Sequence, residues 1–151
     1  MKTLYTTEEK QNWMRLLALS PTGMLERQLN MLERVPGYKF LKQPEVGLAM
    51  IQARACGNGK PFNFGEIPLT RCVVSMGGYT GYGYVSGRKK RHAVMMAVFD
   101  ALLQDPEHHE DLQKSLLEPI AKKLEEKKQQ KAQETGSTKV DFFTMVRGED
   151  N

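Results

Sequence analysis

The residues best suited to chemistry stand at 88–92, Arg88-Lys89-Lys90-Arg91-His92, just after a tight turn predicted at Ser86-Gly87. They open a helix predicted over Arg88–Gln104. A helix N-terminus carries unpaired N–H groups and the positive end of the dipole, so it suits anions and disfavours cations. Four cations there need negative charge nearby, from this chain's own acids or from a ligand. Four residues also span a full turn and cannot all point one way. Spacing favours a solvated helix start paired with internal acids. The functional reading beside it takes Arg88, Lys89, Lys90, Arg91 and His92 as an anion-binding candidate.

Other chemistries fall away on spacing. His108-His109 beside Glu107, Glu110 and Asp111 has the residue types of a metal site. Adjacent histidines diverge on a helix, however, and no distant Cys or His set completes a site, so the cluster reads as a solvated helix cap and no metal is assigned. Two cysteines, Cys56 and Cys72, cannot supply four thiolates and read as buried small apolar residues in a reducing compartment. Three histidines allow no Ser/His/Asp or Cys/His arrangement to be assembled, so no catalytic residue is assigned. No phosphate-binding glycine loop fits either, because Lys89 follows Gly87 by two residues and the upstream glycines are misplaced.

Gly81-Tyr82-Gly83-Tyr84-Val85 overlaps the middle of the pattern by which RNA-recognition sheets stack aromatics on bases. It lacks the leading cation and the final aromatic, and the chain begins with helices where that fold begins with a strand. Tyr82 and Tyr84 therefore read as packing on a glycine-thinned strand. A basic nucleic-acid-binding module is the alternative functional class, and no nucleic-acid partner is expected under the leading one.

The elements that must position these residues follow from periodicity. Thr6 and Glu9 stand at capping-box spacing before a helix with Trp13, Leu16 and Leu17 on one face. Ser20-Pro21 reads as an N-cap and first helical residue, with Leu25, Leu29 and Leu32 continuing the stripe to Val35-Pro36-Gly37. The period then changes to two. Strands are predicted at Tyr38–Lys42, Glu45–Ala55, Pro68–Met76 and Tyr79–Val85, with turns at 56–60 and at Gly77-Gly78. Val46, Leu48 and Met50 share a face that turns polar at Gln52 and Arg54, as in a strand leaving the core at its end. From Ala93 to Leu103 only Asp100 is polar, so that helix needs cover on more than one side, from this fold or from a partner.

Asp105-Pro106-Glu107 starts a further helix whose stripe Leu112, Leu116, Leu117, Ile120 and Leu124 is kinked or split by Pro119. Residues 125–134 favour helix but hold one apolar residue, Ala132, and should project as a solvated arm ending at Thr135-Gly136-Ser137. The strand-like tail after it carries Val140, Phe142, Phe143, Met145, Val146 and Arg147, the partner-docking candidates. The fold class is α+β: an antiparallel sheet of about four strands packed with helices, an N-terminal helical pair, a C-terminal helical arm and an apolar tail. Residues 1–124 form one domain and 125–151 the arm and tail. A chain of 151 residues with 40% hydrophobic content and net charge +4 fits one core and a mild preference for anionic partners. With no apolar h-region near Met1 and no apolar run longer than Ala93–Phe99, a cytoplasmic protein with no membrane partner is expected.

Gly47-Leu48-Ala49-Met50-Ile51-Gln52-Ala53-Arg54, Gly81 to Arg88 with His92-Ala93, and above all Val140-Asp141-Phe142-Phe143-Thr144-Met145-Val146-Arg147-Gly148 closely resemble the G-subunit family of the bacterial carbon-phosphorus lyase system. The likeness covers nearly the whole chain, less well at the N-terminus and the polar arm. It implies a phosphonate-catabolism subunit working with the H, I, J and L subunits, in the step where methylphosphonate displaces adenine from MgATP to give ribose 1-methylphosphonate 5-triphosphate. It implies no cofactor of the subunit's own, with MgATP and phosphonate as substrates of the complex. In that family nucleosidase activity belongs to the I subunit and radical cleavage to the J subunit. No catalytic residue of the G subunit carries over onto a position here. The implied role is structural or accessory, with the catalytic centre on another subunit.

Overall fold

The computed structural model describes residues 5–149, with side chains described for 5–55 and 57–135. Helices α1 (Thr7–Leu19) and α2 (Thr22–Met31) lead into strands β1 (Tyr38–Arg54), β2 (Pro61–Met76) and β3 (Tyr79–Ser86). Helices α3 (Lys90–Gln104), α4 (Pro106–Leu112) and α5 (Glu118–Glu149) follow. The architecture is α+β, and the three strands form an antiparallel sheet in the order β1-β2-β3.

Three strands replace the four predicted because the expected break at Gln43-Pro44 does not occur. Tyr38–Lys42 and Glu45–Ala55 are one strand, β1, carried past Gln43-Pro44 by register shifts between Phe40 and Lys42 and between Lys42 and Glu45. β1 is a sheet edge, where a proline's missing N–H costs no ladder bond and a bulge absorbs the mismatch. The stretch 61–67, irregular by its sequence, pairs with β1 as the first half of β2. Gly77 and Gly78, at φ +56° and +85°, supply the two positive-φ positions of the β2–β3 hairpin.

α1 starts with the expected capping box: Glu9 N–H donates to Thr6 Oγ1 at 3.2 Å and Thr6 N–H to Glu9 Oε2 at 2.6 Å. Ser20 does not cap α2. Its hydroxyl donates to the Leu17 carbonyl at 2.7 Å, satisfying an orphan acceptor at the end of α1, and Pro21 takes the cap position of α2. α3 begins at Lys90, two residues later than predicted. Pro119 acts as expected by splitting the last helix. A π turn, Gln113–Leu117, precedes α5, and Glu118 N–H reaches back five residues to the Gln113 carbonyl.

α5 continues through Gly136 to Glu149, so the backbone of 140–148 is helical where a strand-like tail was expected. The run of Glu, Lys, Gln and Ala propagates the helix at one hydrogen bond per residue, and a glycine costs only about 1 kcal/mol against that. The side chains of the docking candidates Val140, Phe142, Phe143, Met145, Val146 and Arg147 lie outside the described residues.

The core joins Trp13, Leu16 and Leu17 of α1 and Leu25 of α2 to α3 and to Leu112, Leu116, Leu117 and Ile120. Every residue of α3 from His92 to Leu103 is buried except Val94, which is half-buried, so this fold itself wraps the apolar helix. α3 lies against β3 with almost no space between backbones. A Cβ on Gly83 would overlap the Ala93 carbonyl, and one on Gly81 would overlap the Ala97 carbonyl.

The sheet is thus covered unevenly. β3 pairs only with Leu69–Met76, leaving 48–54 and 61–68 as a two-stranded ribbon beyond it. Val46 stands opposite Thr70, Leu48 opposite Pro68 and Met50 opposite Glu66, continuing the face that Cys72 and Val74 present to α3. These apolar residues were expected inside, yet Val46 is 39%, Met50 52% and Leu48 71% exposed. Among the described residues, β1 and the ribbon carry much of the exposed apolar surface, and the central helix does not.

Gly83→Ala should destabilise the protein by about 1–3 kcal/mol or more, because the methyl can be housed only by lifting α3 from β3. Gly47→Ala, in open space on β1, should stay within about 0.5 kcal/mol. Urea unfolding of both variants beside the parent measures the contrast, and equal midpoints would refute the close-packing account.

Candidate functional site

The turn before α3 is held from beneath by one hydroxyl. Gly87, at φ +90°, donates its N–H to the Pro68 carbonyl at 2.8 Å. Buried Thr70 Oγ1 donates to the Gly87 carbonyl at 2.6 Å and accepts from the Lys89 N–H at 3.0 Å. Arg88, Lys89, Lys90 and Arg91 are all exposed, and the first turn of α3 holds no acid. Arg91 Nε meets Glu26 Oε1 of α2 at 2.9 Å. Among the described residues, no ion pair engages Arg88, Lys89 or Lys90.

His92, the fifth anion candidate, does not join this surface. It is buried, its Nε2 lies 2.9 Å from the Leu17 carbonyl and its Nδ1 2.9 Å from Thr22 Oγ1. A carbonyl can only accept, so Nε2 carries the proton and Nδ1 accepts from the threonine hydroxyl. Burial pushes the His92 pKa below its ordinary value, the Leu17 bond opposes this, and Lys89 adds to the lowering. The neutral ring ties α3 to the α1–α2 corner. Arg88 and Lys89 precede the helix, and within it the turn of the backbone carries His92 inward from exposed Lys90 and Arg91.

Between α2, α3 and the start of β1 lies a pocket of about 260 Å³ lined by Glu26, Leu29, Asn30, Tyr38, Arg91, Val94 and Met95. Arg91, Val94 and Met95 share one helical face at i, i+3 and i+4. The Tyr38 ring meets Phe40 edge to face at 5.6 Å, so the pocket wall runs on into the uncovered face of β1. Nothing in the local sequence signalled this pocket, because Arg91, Val94 and Met95 of its lining are far along the chain from the residues of α2 and β1.

Asp100, the lone polar residue in the apolar stretch of α3, is fully buried. Trp13 Nε1–H donates to its Oδ1 at 2.8 Å and the Tyr82 N–H to its Oδ2 at 2.9 Å. Gln104 Nε2 lies 3.4 Å from the same Oδ2 and donates to the Thr80 carbonyl at 2.7 Å, while Lys10 Nζ stands at 4.0 Å. Burial raises the Asp100 pKa, and the bonds from Trp13 and Tyr82 work against that rise. The carboxylate and Gln104 together engage the backbone of β3. Tyr82 and Tyr84 themselves are 37% and 43% exposed, on the sheet face away from α3, where the Lys10 ammonium sits 5.4 Å from the Tyr82 ring centre. They alternate with the glycines of a strand whose other face lies on α3.

Asp105, Glu107 and His108 place ligand-type atoms within 4.8 Å of one another. Capping accounts for the arrangement: Asp105 accepts from the Glu107 N–H at 3.0 Å, and His108 Nδ1 lies 3.2 Å from Asp105 Oδ2. His109 diverges as expected, with Nδ1 2.7 Å from the Leu103 carbonyl and its ring edge to face with Trp13. Cys72 is a free, buried thiol whose pKa burial raises. Cys56 lies outside the described side chains. The buried polar groups of this chain are therefore occupied in fastening elements together.

The model of a family described as "Phosphonate metabolism protein PhnG" matches residues 8–148. A curated relative from Rhizobium meliloti (strain 1021), named "Alpha-D-ribose 1-methylphosphonate 5-triphosphate synthase subunit PhnG", is 38% identical over 143 residues. The match covers 94% of this chain and 91% of the relative.

His92 makes stability depend on pH in a definite direction. Its folded pKa is depressed, so between that value and about 6.5 the unfolded chain binds more protons, and stability is lost as pH falls through this window. Asp100, with a raised pKa, holds its proton better when folded and contributes the opposite slope. Comparing the parent with His92→Gln at each pH cancels the Asp100 part. The melting-temperature advantage of the parent over His92→Gln should shrink from pH 7 to pH 5, and a constant difference would refute a buried neutral imidazole.

Proposed function

Because the chain belongs to the PhnG family of phosphonate metabolism proteins, we propose that it serves as a subunit of an alpha-D-ribose 1-methylphosphonate 5-triphosphate synthase. The observation that carries this reading is the 38% identity, across 94% of the chain, to a subunit of that name. The reaction is displacement of adenine from MgATP by methylphosphonate, and the partners are the H, I, J and L subunits of the carbon-phosphorus lyase system, in the cytoplasm. Among the described residues, no helix is long and apolar enough to cross a membrane.

Its contribution is to assembly and not to bond making. His92, Asp100 and Thr70 are committed to holding the fold, and the Cys72 thiol is buried and hard to ionise. The exposed apolar ribbon supports the same reading, since uncovered surface of this kind marks interaction sites. The tail residues Val140, Phe142, Phe143, Met145, Val146 and Arg147 are assigned to docking, and the cations Arg88 to Arg91 to an anionic group brought by the assembled complex.

The purified chain mixed with MgATP and methylphosphonate should release no adenine, while the co-expressed subunits should. Robust turnover by the chain alone would overturn the accessory role. Phe142→Ala with Phe143→Ala should cost at least about tenfold in recovery of the co-purified complex, the loss of one or two buried aromatic anchors. Full recovery would remove the tail from the interface.

A further inference from the structure

We propose that the pocket between α2, α3 and β1 is the seat of an apolar side chain from a partner subunit, whose flanking carboxylates meet Arg88, Lys90 and Arg91. The proposal rests on the subunit reading above and adds to it a surface and the chemistry of the segment it receives.

The lining favours a side chain over a small molecule. The pocket holds about 260 Å³, at the small end of the roughly 300–1,000 Å³ of clefts for metabolites and cofactors. One aromatic or long aliphatic side chain fits that space. The walls agree, since Leu29, Val94, Met95 and the Tyr38 ring offer apolar contact that a phosphate group would leave unused.

Charge decides what stands beside that side chain. Arg91 lines the pocket and its side chain is 78% exposed, so its bond to Glu26 is a surface ion pair that can share a second carboxylate. Arg88 and Lys90 lie within one turn of it, without ion pairs among the described residues, at a helix start with no acid in its first turn. The surroundings of the pocket are thus cationic, and the complementary segment is acidic. A two-fold pairing with a second copy of this chain does not supply it. A two-fold contact sets a patch against itself, which would bring the two cationic clusters together. Nor does this chain's own arm at 125–134, whose one apolar residue, Ala132, is too small to fill the space.

The seat is formed in advance. His92 fixes α3 to the α1–α2 corner through Leu17 and Thr22, so the α2 and α3 walls are held in register before anything binds. On the other side, Tyr38 and Phe40 continue the apolar wall along β1, whose outer edge is unpaired in the sheet.

The test uses the co-expressed, assembled complex. Asn30, exposed on α2 and part of the pocket lining, is changed in Asn30→Trp to block the space without disturbing the core, and unchanged melting of the isolated chain checks the fold. Association of this variant should weaken at least about tenfold. Arg88→Glu with Lys90→Glu should weaken it similarly at low salt and flatten its salt dependence. A photoreactive benzoylphenylalanine in place of Asn30 should cross-link to a partner peptide with an apolar residue within about three positions of Asp or Glu.

Wild-type association by both variants overturns the proposal. So does a cross-link to another copy of this chain or to a segment without acids, or no cross-link in the intact complex. Intact assembly of the charge-reversed variant with a raised KM for MgATP would hand these cations to the substrate and also overturn it. Failure of the unaltered chain to assemble at all is a separate result, which overturns the subunit reading and this proposal with it.

Discussion

The fold depends on a helix laid directly on a strand. α3 touches β3 backbone to backbone at Gly81 and Gly83, with Ala93, Ala97 and Ala101 as the small residues on the helix side. Such closeness has no room for side chains between the elements, so the usual interdigitation is replaced by contact of main chains. From it follows the placing of Asp100 and Gln104. At this separation their short side chains reach the β3 backbone at Tyr82 and Thr80. A longer gap would leave a buried carboxylate short of donors, which costs several kcal/mol.

The same contact explains where the chain is left uncovered. A helix held close over β3 and β2 cannot also roof β1, and the ribbon of β1 and β2 extends past the last residue of β3. The inward face of β1 therefore faces outward at Tyr38, Phe40, Val46, Leu48 and Met50. An apolar edge strand of 17 residues is a liability for a solitary protein, because unpaired N–H and C=O groups template further strands. Pro44 and the register shifts around it blunt the half near Tyr38, while the half from Glu45 to Ile51 pairs without interruption.

Periodicity made most of this architecture readable in advance. The capping box at Thr6, the stripe of Trp13, Leu16 and Leu17, the hairpin at Gly77-Gly78 and the split at Pro119 each follow from a local rule with a local cause. Where reading failed, the deciding contact was distant in sequence. Gln43-Pro44 looks like a break until β1 is known to be an edge strand. Val46, Leu48 and Met50 look like core until α3 is known to sit elsewhere. Tyr82 and Tyr84 alternate with glycines, but which set faces the helix is settled only by Ala93 and Ala97. For the candidate site, the four cations were visible, whereas the inward turn of His92, the support from Thr70 and the pocket beside Tyr38 needed three elements to be placed together. Asp100 was conspicuous as a lone acid, though its partners Trp13 and Tyr82 were not nameable from the sequence.

The division of labour between polar groups bears on what kind of protein this is. A catalytic centre keeps ionisable groups poised and partly unsatisfied toward a cavity. Here the opposite holds for the conspicuous ones: Asp100 has four partners, His92 uses both nitrogens, and Thr70 both donates and accepts. What is left unsatisfied among the described residues is of another kind, namely apolar sheet surface, an open strand edge and, at Arg88 to Lys90, cations without ion pairs at a helix start. Uncovered surface of that kind marks interaction sites, and the satisfied interior holds it rigid.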